Sequence, residues 1–276
     1  MFRYLSIIFV SVVLLLTACS PERNLARNYV KNHKGNGIMI VPLYEIYKDN
    51  LSIIFDTNVK YSPEQFDSIA WEQSCFIKHI SDSMFLTTFT NSLINKLSAD
   101  GYDVYVDGSS DIFLSLPDPK WMVQIAQLQL REKHNLNYYE LYPAEGGDPV
   151  TEGVRINQVN LSSWLEVSQA NTGNKQVLYL DGYVQDDIKR NVNFDLMEGS
   201  IGIEQIRDSM KVNDVYRLAL DSGQKHAEML FDYFMNDYIR QNLPEGIVNR
   251  QYFRFDRQSK SLKKGLMDRF DVVTGK

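Results

Sequence analysis

The chain has 276 residues, 44% hydrophobic and 23% charged, a balance that excludes a disordered polymer and fits a folded globular protein. Its formal net charge of −6 argues against a nucleic-acid partner. With only two cysteines, Cys19 and Cys75, it is no disulfide-stapled scaffold, and its 16 Tyr and 14 Phe predict an aromatic core and aromatic contact surfaces.

In chain order the first feature is Arg3, followed by an apolar run from Ile7 to Leu16 and then Leu16-Thr17-Ala18-Cys19. The run is too short for a bilayer-spanning helix, which needs about 20 residues. A basic start, a short apolar stretch and small residues before the cut are the parts of a secretory signal. Leu16-Thr17-Ala18-Cys19 resembles the bacterial lipobox, in which Leu and two small residues precede the cysteine. The resemblance implies a signal peptide over residues 1–18, cleavage before Cys19, and acylation of its sulfur. Two or more acyl chains would hold the protein stably on a membrane. Ser20 follows the cysteine and no acidic run comes after it. By resemblance to known sorting patterns, that implies the outer membrane and its periplasmic side. Lipidation of Cys19 would leave Cys75, flanked by apolar neighbours, as a buried small hydrophobe.

Residues 19–36 are polar and carry Arg23, Arg27, Lys31 and Lys34. They read as a lipid-anchored tether with one helical turn around Leu25 and Tyr29, its basic residues able to rest on anionic headgroups. Gly37-Ile38-Met39-Ile40-Val41-Pro42-Leu43 has the continuous apolar character of a central strand. After an irregular excursion over 44–68, Phe85, Phe89, Leu93 and Leu97 repeat at helical spacing over 82–99, with Ser81 or Asp82 as cap and Gly101 as stop.

Tyr102 to Val106 alternates as a strand before the turn Asp107-Gly108. A strand over 120–132 changes phase at Ala126-Gln127, the mark of a bulge. Residues 137–151 read as a loop, rich in Tyr, Pro and Gly. Strands follow over 154–167 and 176–184, joined by the turn Ala170-Asn171-Thr172-Gly173-Asn174. Residues 186–213 are polar with weak helical character. The longest helical pattern covers 214–241, capped by Asp214 and stopped by Pro244-Glu245-Gly246. Residues 244–276 read as a partly ordered extension, in which the alternating aromatics of Arg250-Gln251-Tyr252-Phe253-Arg254-Phe255 could add an edge strand or fold back on the domain.

This order predicts a single α/β (or α+β) domain over 37–243, a mixed sheet of about five strands with two main helices packed on it. The layout resembles the amino-terminal part of TolB, the curli-secretion lipoproteins and the penicillin-binding-protein activator lipoproteins. It shares their element order and lipoprotein setting but no residue motif, so no functional residue carries over.

The chain contains no Gly-x-Ser-x-Gly elbow, no His-Glu-x-x-His, no phosphate-binding Lys loop and no zinc-type cysteine pair. His79 and Asp82 read as a surface pair at a helix start, and Asp181, Asp186 and Asp187 as a solvated strand end. No cofactor and no metal is implied. Tyr138, Tyr139 and Tyr142 put large apolar surface where burial is not guaranteed, and are the candidate contact residues. The expectation is a non-enzymatic lipoprotein that acts through protein contacts as an accessory or assembly factor of an envelope machine. A binding module for a hydrophobic or glycan ligand is the alternative.

Overall fold

The computed structural model describes residues 20–52, 61–141, 150–170, 175–195, 200–249, 251–265 and 270–272. In order the elements are α1 (Pro21–Asn32), β1 (Gly37–Val41), β2 (Tyr47–Asn50), α2 (Pro63–Gln73), a 3₁₀ turn (Ile77–His79), α3 (Asp82–Ala99), β3 (Asp103–Tyr105), α4 (Ser110–Ser115), β4 (Trp121–Leu141) and β5 (Val150–Gln169). They continue with β6 (Lys175–Gln185), β7 (Asp187–Asp195), β8 (Ser200–Asp208), α5 (Val212–Asn242), β9 (Tyr252–Asp256), β10 (Ser261–Gly265) and β11 (Phe270–Val272).

The expected mixed sheet with two main helices is present, with seven strands rather than about five. Its order is β11-β6-β5-β4-β1-β3, and β2 pairs with β4 off that path. β1 is parallel to β3 and β4, whereas β5, β6 and β11 complete the sheet antiparallel. β1 and β2 take successive stretches of one edge of β4, Ile38–Val41 against Trp121–Gln124 and Tyr47–Asn50 against Gln129–Glu132. The expected bulge lies between Ile125 and Gln127. It moves Leu128 and Leu130 onto the face that Val123 and Ile125 occupy, and all four are buried.

That face carries the core. Ile38, Ile40, Val123, Ile125, Leu161 and Leu165 join Phe85, Phe89, Leu93 and Leu97 of α3 and Leu230, Phe231 and Phe234 of α5 in one cluster. The helical stripe read from the sequence thus faces the interior, and Ser81 caps α3 as expected. The two helices cross closely at Gly223, where an added Cβ would stand 2.5 Å from the carbonyl oxygen of Phe89. Ser92 Oγ donates to Leu220 O across the same crossing at 2.6 Å. On the opposite face of β1, Gly37 makes room for Phe113 and Leu116 at the end of α4.

Several expectations are corrected. Residues 20–36 are not a tether. Ser20 caps α1, and Ala26, Tyr29 and His33 are buried. Tyr29 Oη meets Tyr102 Oη at 2.7 Å, while His33 Nε2 lies 2.6 Å from Asp100 O. Edge-on and tilted ring contacts of Tyr29 and His33 with Phe231 and Tyr238 make up for the short apolar stripe of α1.

The 244–276 extension belongs to the domain as well. β9 and β10 form a hairpin against α5, with Phe253 buried and its backbone bonded in both directions to the Asn236 amide. The edge strand comes later than expected, as β11 on β6. The polar stretch after Asp186 is the β7–β8 hairpin, with no helix at Ile203–Met210 beyond the approach to α5. Asp214 does not cap α5 itself. It lies one turn in and accepts the Lys211 N–H at 2.8 Å.

Candidate functional site

The feature that exceeds the needs of the core is a pair of projecting ribbons. β4 has a neighbour on its β2 edge up to Glu132, and β5 has β6 beside it only from Gln158 onward. Beyond these points, among the described residues, 134–141 pair with 150–157 alone. Among the described residues β7 and β8 likewise pair only with each other, from Asp187 opposite Asp208 to Asp195 opposite Ser200.

Period-2 alternation shows why the first ribbon forms. His134, Leu136 and Tyr138 fall on one face and Asn135 and Asn137 on the other. Neither set is apolar enough to enter the core, so the hairpin runs past the sheet.

Both ribbons grow from one buried carboxylate, Asp186. Its Oδ2 accepts from the Asn157 backbone N–H at 2.9 Å, from Asn157 Nδ2 at 3.0 Å and from the Arg207 guanidinium, while Oδ1 accepts from the Met210 N–H at 2.8 Å. Burial would push this carboxyl up, but those backbone donors and Arg207 outweigh it and hold it below the ordinary carboxylate value. One side chain therefore ties β5, the β6–β7 junction, β8 and the start of α5. Asp181, Asp186 and Asp187 do not form a solvated cluster. Asp181 accepts from Ser162 Oγ at 2.6 Å on the other face of the sheet, and Asp187 is exposed at the start of β7.

Of the expected loop over 137–151, residues 137–141 and 150–151 are ribbon strand, and residues 142–149 lie outside the described residues. Tyr138 is 68% exposed on β4, and Tyr139 follows it in the same strand, its backbone opposite Glu152. Tyr142 and Cys19 lie outside the described residues, as does the signal segment 1–18.

Other single-residue expectations are settled by local geometry. Cys75 is exposed rather than buried, because its backbone N–H turns inward to Glu132 Oε1 at 2.7 Å. Glu132 itself is fully buried. Its Oε2 accepts from Ser74 Oγ and from the Phe76 and Ile77 N–H groups at 2.7, 3.0 and 3.1 Å, which pins the 74–80 turn to the sheet. Asp82 pairs with Lys48 rather than His79, and among the described residues no group of His, Cys, Asp and Glu could hold a metal. His226 Nε2 lies 2.7 Å from Ser163 Oγ, but both are sealed in the core and burial drives the imidazole down to about 3. This Ser–His pair is a neutral packing contact that no substrate reaches.

Sequence reasoning missed two surfaces. One is a groove of about 650 Å³ between α5 and the β9–β10 hairpin, where Lys225, Glu228, Asp232, Arg254, Arg257 and Lys264 converge. Burial raises the Asp232 carboxyl to about 7 even though its Oδ1 accepts the Phe255 N–H at 2.9 Å. Arg257 is fixed by a two-pronged bond to Asp100 and by the Phe231 ring beneath it. The other surface is the sheet face turned away from the helices. There Trp164 and Tyr179 lie 5.0 Å apart across β5 and β6, with Tyr183 further along β6 and 61% exposed. Their period-2 spacing was present in the sequence. What it could not show was which face the helices would leave open.

No described helix is long and apolar enough to cross a membrane. No protein-family model matches the chain, and no curated protein matches it in sequence.

Proposed function

We propose that this chain is a lipid-anchored outer-membrane protein, attached through Cys19 and facing the periplasm, that acts without catalysis as an accessory or assembly factor of an envelope machine. Its working element is the β4–β5 ribbon. The observation that carries the reading is a strand pair running on through residues 134–141 with no third strand among the described residues, and with Tyr138 two-thirds exposed on it. Such a projection contributes little to the core, and exposed aromatics on a rigid β-scaffold are efficient contact anchors. The groove between α5 and the β9–β10 hairpin mixes apolar lining with the charged groups of Lys225, Glu228, Asp232, Arg254 and Arg257, which supports contact over uptake of a hydrophobic ligand.

The test is Tyr138, Tyr139 and Tyr142 changed together to Ser, in the full chain. The circular dichroism melt should stay unchanged while recovery of envelope partners falls about thirtyfold or more, the scale of one lost aromatic hot spot. A stable variant that recovers its full set of partners would exclude the ribbon. Loss of stability without a specific binding defect would make it a cover for the sheet. Cys19→Ala should abolish fatty-acid incorporation and release the protein from the outer-membrane fraction.

A second reading rests on the open sheet face. Trp164, Tyr179 and Tyr183 beside Asp181 and Asn160 offer flat aromatic platforms with polar groups between them, a surface suited to a sugar ring. Saturation-transfer NMR with envelope glycans would favour this reading if it found contacts that Trp164→Ala removes.

A further inference from the structure

The helix that replaces the expected tether has two unlike sides. Glu22, Ala26, Tyr29 and His33 are buried, most of them against α5. Arg23, Arg27 and Lys31 recur every four residues on the exposed flank and so form one row along α1. That row continues onto the hairpin. A second groove, of about 500 Å³, is lined by Arg23, Arg27, Val30, Lys31, Phe255, Lys260, Ser261 and Leu262, with four cations and no carboxylate. Among the described residues none of these four cations pairs with an acid, although ion pairs recur elsewhere on the surface. A chain of net charge −6 thus gathers unpaired positive charge on one flank.

The position of this flank identifies what it meets. Ser20, the cap of α1, directly follows Cys19, and α1 is held rigidly by Tyr29, His33 and Asp100. We propose that Arg23, Arg27, Lys31 and Lys260 dock on the phosphates of anionic phospholipid headgroups. The body then has a fixed attitude to the membrane and does not swing on a flexible leash. The proposal rests on the lipid-anchor reading for its geometry. Acyl chains on Cys19 would bring the first turn of α1 within a few ångströms of the headgroups, inside the roughly 8 Å over which charges act at physiological salt. Lys and Arg side chains near such a surface add attraction residue by residue, about fivefold in partitioning for each. Phosphatidylglycerol supplies the matching charge; a neutral headgroup does not.

The test uses residues 20–276, which contain every contact described above, so that no lipid is attached. Binding is measured by sedimentation with vesicles of phosphatidylcholine containing roughly a third phosphatidylglycerol, and with vesicles of phosphatidylcholine alone. The expected result is binding to the anionic vesicles only, its loss in about 1 M salt where the screening length is near 3 Å, and at least a tenfold drop in Arg23→Glu/Arg27→Glu/Lys31→Glu. Lys260→Glu, on a different element, should weaken binding about tenfold, and neither variant should change its melting curve. Binding to neutral vesicles, or full binding by the triple variant, would overturn the proposal. So would displacement by inorganic phosphate beyond that caused by sodium chloride of equal ionic strength, which would mark a free-phosphate site. Because this stretch lacks Cys19, its failure leaves the anchor reading intact, and fatty-acid labelling of the full chain tests that reading separately.

Discussion

Asp186→Asn is the most informative single change, because it touches the root of both ribbons and leaves the core alone. An amide keeps one acceptor oxygen. The better of its two orientations places that oxygen where Oδ2 now serves the Asn157 backbone, the Asn157 side chain and Arg207. The amide nitrogen then faces the Met210 N–H, donor against donor, in a buried position. One orphaned buried donor costs about 1–3 kcal/mol. Losing the charge weakens the bond to Arg207, but that side chain is 42% exposed, so the loss adds only about 0.5–1 kcal/mol. A total near 2–4 kcal/mol is expected from urea denaturation at neutral pH.

The pH dependence gives an independent check. The carboxyl is held below its ordinary value in the fold, so its contribution is complete above the unfolded-state value near 4 and is lost as pH falls through the folded one. Wild type and variant should therefore differ by a constant amount above a pH of about 4 and converge as pH falls below it, through the folded value. A difference under about 0.5 kcal/mol at pH 7, or one independent of pH, would refute the account of Asp186 as the shared root. Amide exchange should show the Asn157 and Met210 protons losing protection first.

Three other outcomes are expected. Glu132→Ala orphans three backbone donors and the Ser74 hydroxyl and should cost about 3–5 kcal/mol, whereas Glu132→Gln can keep the oxygen at the crowded Oε2 site and should cost about 2; equal, small losses in denaturation curves would exclude the pinning role. Gly223→Ala should destabilise by at least about 1–3 kcal/mol, because the new methyl meets the backbone of α3 and not a movable side chain, and an unchanged melting temperature would mean that the helices cross less closely. The raised carboxyl of Asp232 makes the fold lose stability as pH climbs from about 4 to 7, so Asp232→Asn, which still accepts the Phe255 N–H, should gain on the wild type between pH 5 and 8 when both are melted across that range.

How much of this was legible depended on whether the signal was local. The stripe, cap and stop of α3 lie within about twenty residues, and all three were read correctly. The bulge near Gln127 was visible as a phase change in the strand itself. α1 was misread because its buried residues are few and one is a histidine, so the cationic flank dominated its composition. The ribbon at Tyr138 was misread because Tyr, Asn and nearby Gly are as common in loops as in exposed strands. The β7–β8 hairpin was missed because alternation in a chain so polar resembles no pattern at all.

The candidate sites were least legible. Glu132 falls in phase with the buried Leu128 and Leu130, but as a charged residue it reads as the strand's exposed end until the 74–77 turn brings its donors to it. Asp232 becomes a groove carboxylate only when a hairpin twenty residues downstream folds over α5. Non-local closure of this kind leaves no periodicity to read.

β4 has a consequence of its own. It is one unbroken strand of 21 residues, roughly 65 Å long at about 3.3 Å per residue. It begins at Trp121, stacked on Phe234 of α5 in the same aromatic cluster that grips α1, and ends at the far part of the ribbon. If the chain is anchored through Cys19 and held by a partner on the ribbon, as proposed, a pull between the two would run along this strand. The hydrogen bonds to β1, β2 and β5 lie crosswise to that pull and would share the load together instead of parting one by one. Under tension the sheet is a strut, and the weak link is α1, which can peel from its first turn while the ribbon keeps its shape.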